Sequence, residues 1–190
     1  MQRGRHTLFI SALAVSLVAL WGGQAAQAQG WSTSADYQLN EANGATTLVD
    51  SGGRGLNGTI GNKVLLAQRS GSSTYHKFPY VSSSAPSDPG RTHLVPSNAA
   101  LNPGTGSFAV EVRFRTTVND GNIIQKGQSG GAGMWKMELH NGGYGACVFQ
   151  GTSASVGMSS DAKITDGQWH VLRCERTATS ASLYVDGVLQ

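Results

Sequence analysis

Asp-Gly pairs set between alternating apolar and polar residues constrain this chain more than any other feature. Two of them, Asp166-Gly167 and Asp186-Gly187, fall in the last 26 residues, TDGQWHVLRCERTATSASLYVDGVLQ. Asp-Gly supplies the positive backbone dihedrals of tight hairpin turns, and period-two alternation puts one set of side chains on each face of a pleated strand. After the first turn, Trp169, Val171, Arg173 and Glu175 share one face, and His170, Leu172 and Cys174 share the other. Leu183 to Val185 leads into the second turn, and only Val188, Leu189 and Gln190 follow Gly187. The pattern predicts antiparallel hairpins, with an incomplete second strand in the last one.

The same alternation recurs upstream. Phe108, Val110, Val112 and Phe114 form a stripe opposite Glu111, Arg113 and Arg115. Trp135, Met137 and Leu139 alternate with Lys136, Glu138 and His140; a turn at Asn141-Gly142-Gly143 leads into a strand over Tyr144 to Gln150. Further short strands are expected at Tyr37–Leu39, Thr46–Val49, Leu56–Ile60, Val64–Ala67, Tyr75–Val81, Thr92–Val95 and Asn122–Lys126, with weaker ones at Ala154–Met158 and Lys163–Ile164. Beyond residue 28 no window of ten shows a helical period. These readings add up to ten to twelve strands in one antiparallel sandwich.

Residues 1–28 stand apart. Arg3 and Arg5 precede an apolar run from Leu8 to Trp21, and Ala26-Gln27-Ala28 is a small-x-small cleavage sequence. This is the layout of an export signal, and the run is short for a membrane span. Cleavage after Ala28 is expected, leaving one domain over 29–190 in a secreted or cell-surface protein with no membrane span. The signal holds two of the 14 Lys and Arg and none of the 11 Asp and Glu, so the mature balance is 12 − 11, or +1. With no basic stripe left, nucleic acid is not an expected partner. In an exported chain the two cysteines, Cys147 and Cys174, are most simply a disulfide; two buried thiols are the alternative.

Three segments carry a resemblance: YQLNEANGATTLVDSGGRGLNGTIG (37–61), GSFAVEVRFRTT (106–117) and DGQWHVLRCERT…LYVDG. Together they resemble the laminin-G-like, concanavalin A-like jelly-roll domains of secreted bacterial proteins. The resemblance implies an all-β, antiparallel jelly-roll sandwich. Family members continue past the VDG turn with further strands, so the domain is read as incomplete at its C-terminus. Open sheet edges then offer a route to self-association.

The resemblance also frames the functional candidates. Many laminin-G-like domains hold a calcium ion at the sandwich rim, so Ca²⁺ is the candidate cofactor. Asp50, with oxygens near Asn57, and Asp120 are the candidate ligands, although turns also favour these residues. Trp135, Tyr144 and Arg113 are the candidate glycan-contacting residues, because aromatic faces stack on sugars; the same aromatics could fill the core instead. Glycoside hydrolases and lyases share the fold, but no strand carries paired carboxylates at i and i+2. Glu138 and His140 are read as solvated, and Trp169, His170 and Asp186 as architecture. The expected function is a secreted, non-catalytic binding or adhesion module for an extracellular glycan or surface protein. A polysaccharide hydrolase or lyase, or an interaction segment of a larger surface protein, is the alternative.

Overall fold

The computed structural model describes residues 32–80, 88–128 and 130–190, together with the backbone of 8–11 and 14–15. The strands in chain order are β1 (Leu8–Ser11), β2 (Ala14–Val15), β3 (Thr47–Leu48), β4 (Gly58–Ile60), β5 (Leu65–Ser70), β6 (Ser73–Lys77), β7 (Thr92–Val95) and β8 (Phe108–Arg115). They continue with β9 (Gly121–Lys126), β10 (Met134–His140), β11 (Tyr144–Gln150), β12 (Ser155–Lys163), β13 (Trp169–Arg176), β14 (Ala181–Val185) and β15 (Val188–Leu189). Among the described residues the only helical elements are two 3₁₀ turns, Pro89–Arg91 and Ala99–Leu101.

All the pairings are antiparallel. One sheet has the order β12-β11-β10-β9-β1-β7-β4-β3 and the other β15-β14-β13-β8-β2-β6-β5. The apolar run read as the centre of an export signal thus contributes one short backbone strand to each sheet. The rest of that signal reading, including the cleavage sequence, lies outside the described residues.

Alternation decides what each sheet buries. In β8, Val112 and Phe114 are sealed in the core, while Arg113 and Arg115 face out. In β13, Leu172 and Cys174 point inward. From the facing sheet come Ile124, Trp135, Met137, Leu139, Cys147 and Phe149. Cys147 on β11 and Cys174 on β13 form a disulfide with Cα atoms 5.8 Å apart, which joins the two sheets through the core.

Two local expectations are corrected. Tyr37 and Leu39 do not form a strand: they lie in an extended loop, with Leu39 at φ 49°, yet both are buried. The Tyr37 hydroxyl donates to Leu56 O over 2.7 Å, which anchors the loop without a ladder. The weak signals around Ala154 and Lys163 belong to one nine-residue strand, β12, whose mostly exposed residues blur the alternation. Leu183–Val185 in β14 keeps neighbours on both sides, β13 and the two-residue β15.

His170 ties the two closing turns together. Its Nδ1 lies 2.8 Å from Asp186 Oδ2 and its Nε2 3.1 Å from Asp166 Oδ1. Burial alone would lower its pKa, but the bonds to Asp186 and Asp166 outweigh burial and raise it. Asp186 Oδ1 also accepts the Val171 amide, 2.8 Å away. The architectural role read for His170 and Asp186 is therefore a carboxylate–imidazole–carboxylate clamp between the Asp166-Gly167 and Asp186-Gly187 turns.

Candidate functional site

The outward face of β8 and β13 gathers charged and aromatic side chains. In register, Trp169 lies opposite Arg115, Val171 opposite Arg113, and Arg173 opposite Glu111. The Arg113 guanidinium sits 4.3 Å from the Trp169 ring centroid, and that of Arg115 5.2 Å. Tyr75 on β6 meets Trp169 edge-on at 5.4 Å, and its hydroxyl accepts from Arg115 Nη2 over 3.1 Å. Trp169 Nε1 donates to Ser70 Oγ over 3.3 Å.

Packing of this kind fixes two planar cations against an aromatic platform. A guanidinium held on an indole face has its flat side covered and the direction of its in-plane N–H donors fixed. Next to it, Arg173 donates to Glu175 over 2.6 Å and to Glu111 over 3.2 Å. That triad of one arginine and two glutamates marks one end of the face, and Arg113 and Arg115 stack on Trp169 at the other.

The three residues expected to meet a glycan do not come together. Arg113 belongs to the outward face just described. Trp135 lies on the other sheet, 7% exposed and inside the core. Tyr144 is half-buried on β11, with Lys163 Nζ 5.9 Å from its ring centroid. Alternation sets Arg113 and Arg115 on the polar face of their strand, whereas Trp169 reads as architecture and not as a platform. What the sequence lacked was the β8–β13 pairing, which brings them together.

Of the calcium candidates, Asp50 and Asn57 are engaged by the loop around them. Both carboxylate oxygens of Asp50 serve the loop: Oδ1 accepts the amides of Asp36 (3.0 Å) and Gly52 (2.8 Å), and Oδ2 accepts that of Leu56 (2.9 Å). Asn57 Oδ1 accepts the Asp50 amide at 2.8 Å. Burial alone would raise the Asp50 pKa, but these amides hold it below the ordinary aspartate value. Asp120 sits exposed in the β8–β9 loop. A carboxylate held by three backbone amides organises a turn. Asp50→Ala is expected to cost roughly 2–3 kcal/mol by leaving those amides without an acceptor, read as a fall in the denaturant midpoint with an unchanged slope.

Glu138 and His140, read as solvated neighbours, turn to separate partners. Glu138 pairs with Lys136 at 2.5 Å, and His140 Nε2 lies 2.8 Å from Ser159 Oγ.

A model of the concanavalin A-like lectin/glucanases superfamily, in its laminin G form, matches residues 88–190, which run from β7 through the closing hairpin. The chain belongs to that superfamily. The laminin-G-like domain is also similar to Neurexin-3a of Danio rerio, 28% identical over 109 residues. That match covers 52% of this chain and 6% of the relative, so the chain spans a small part of the relative's length. Family membership and the inter-sheet disulfide suggest an extracellular binding module. Among the described residues, no helix is long and apolar enough to cross a membrane.

Proposed function

We propose that this domain is a secreted, non-catalytic binding module whose ligand is an extracellular glycan taken on the outward face of β8 and β13. The observation that carries this reading is the Arg113–Trp169–Arg115 stack buttressed by Tyr75. Its donors are cationic, so the glycans favoured are those with carboxylate or sulfate groups, and the aromatic platform adds contact area for a ring. The array is fixed before ligand arrives, which lowers the ordering cost of binding.

The double substitution Arg113→Gln/Arg115→Gln tests it on an immobilised glycan array. Acidic glycans should bind the wild-type chain and lose about tenfold or more in affinity in the variant, with a melting temperature close to wild type. Binding should also weaken as salt rises, because exposed charges are screened beyond about 8–10 Å at physiological ionic strength. A blank array, or a double variant that binds as wild type does, would refute the assignment.

A further inference from the structure

Lys126 is a buried lysine among apolar neighbours. It points into the sandwich on the same face of β9 as Ile124, and it is 4% exposed. In register its cross-strand neighbour is Trp135, and Trp135 in turn lies opposite Phe149. Phe108 of the other sheet closes on this row, 6.2 Å from the Trp135 ring and 5.3 Å from that of Phe149. Among the described residues no carboxylate lies within ion-pair distance of Lys126. Burial in this apolar surrounding lowers the lysine's pKa.

The same residues line a cavity of about 280 Å³ at this end of the sandwich. Arg176 reaches it as well, with its guanidinium 4.7 Å from the Phe108 ring and Nη2 donating to Gly104 O and Gly106 O, both at 2.7 Å. The Trp135 indole N–H is buried with no acceptor. The described lining thus brings two cations to an aromatic wall, and none of its described residues is acidic. The Lys126 ammonium has no ion-pair partner among the described residues, and an anion in the cavity would give it one.

We propose that this end cavity binds a small carboxylate carried on a single ring. The ring lies among Phe108, Trp135 and Phe149, and the carboxylate pairs with Lys126. The volume sits at the small end of ligand pockets, which suits one ring and not a chain of them. The site is separate from the outward face of β8 and β13 and does not depend on that assignment.

The test titrates the whole chain with phenylacetate and with glucuronate, each against its uncharged counterpart, phenylacetamide or glucose, while tryptophan fluorescence is followed. At least one carboxylate should saturate, its neutral counterpart binding about tenfold or more weakly. Whichever acid binds identifies the ring as apolar or sugar. Lys126→Met should lose that binding and Arg113→Gln/Arg115→Gln should keep it. Where Lys126→Met does not fold, the charged-against-neutral comparison on the native chain decides alone. No saturation with either acid, equal binding of acid and neutral partner, or loss of binding in the arginine variant instead would overturn the proposal. Lys126 would then be a stem lying along the core with its tip reaching water.

Discussion

Lowering the pH from about 6.5 toward 3 is expected to destabilise the fold by on the order of 4 kcal/mol, through His93 alone. His93 on β7 is fully buried, and its Nε2 lies 2.9 Å from Nδ1 of the equally buried His76 on β6. Its ring also meets Phe78 edge-on at 4.8 Å. Burial first, then the charge of His76, lowers the His93 pKa to about 3; the nearby Glu41 carboxylate opposes this only weakly. The unfolded chain takes up this proton near pH 6.5, while the folded chain refuses it until about 3. Across that window the unfolded state binds more protons, so stability falls with the pH.

Glu41 acts in the same direction. Its Oε2 is 3.2 Å from His76 Nε2, and its Oε1 accepts the Val49 amide at 2.8 Å. Burial alone would raise its pKa, but these partners hold it below the ordinary glutamate value. Its stabilising contribution is therefore lost as pH falls through that depressed value. His170 works on the other side of neutrality. Its pKa is raised, so its contribution is complete below about 6.5 and fades as pH rises through the folded value. Stability should thus peak near pH 6–7 and decline on both sides. Urea unfolding at a series of pH values measures this, and His93→Gln should flatten the acid limb. A wild-type midpoint that stays constant from pH 7 to 4 would contradict the assignment.

Breaking the Cys147–Cys174 bond should produce a loss of similar size. The bridge spans 27 residues of sequence and joins β11 of one sheet to β13 of the other. In the chain-entropy account, a loop of that length contributes roughly 3–4 kcal/mol by restricting the unfolded chain. For a domain of this size that corresponds to a melting point lower by about 10 °C. Cys147→Ala/Cys174→Ala measures it, since both sulfurs lie sealed between the sheets and alanine leaves only a small gap. The unfolding rate should rise more than the folding rate falls if the sheets dock late. A double variant that melts within about a degree of wild type would mean that sheet packing alone holds the domain closed.

The strands were legible wherever one face met the core and the other met water. In β8, β10 and β13 that contrast is strong, and the alternation of Val112 and Phe114 against Arg113 and Arg115 shows it. It faded in β12, where nearly all residues are exposed, and around Tyr37 and Leu39, where burial comes without a ladder. The disulfide was legible from cysteine count and the export-like leader. The site was legible only in part. Arg113 could be named, but Trp135 and Trp169 look alike in sequence as alternating tryptophans. One fills the core and the other forms the outward platform.

By itself the sequence determined the fold class, the closing hairpin and the pairing of the two cysteines. Each of these rests on local period, turn chemistry or simple counting. Only the tertiary structure decided which strands became neighbours. That choice set Trp169 against Arg113 and Arg115, buried Lys126 beside Trp135, and brought His76, His93 and Glu41 together. The physical reason is that side-chain alternation fixes the face of a strand, whereas the identity of its neighbour depends on how two whole sheets pair and dock.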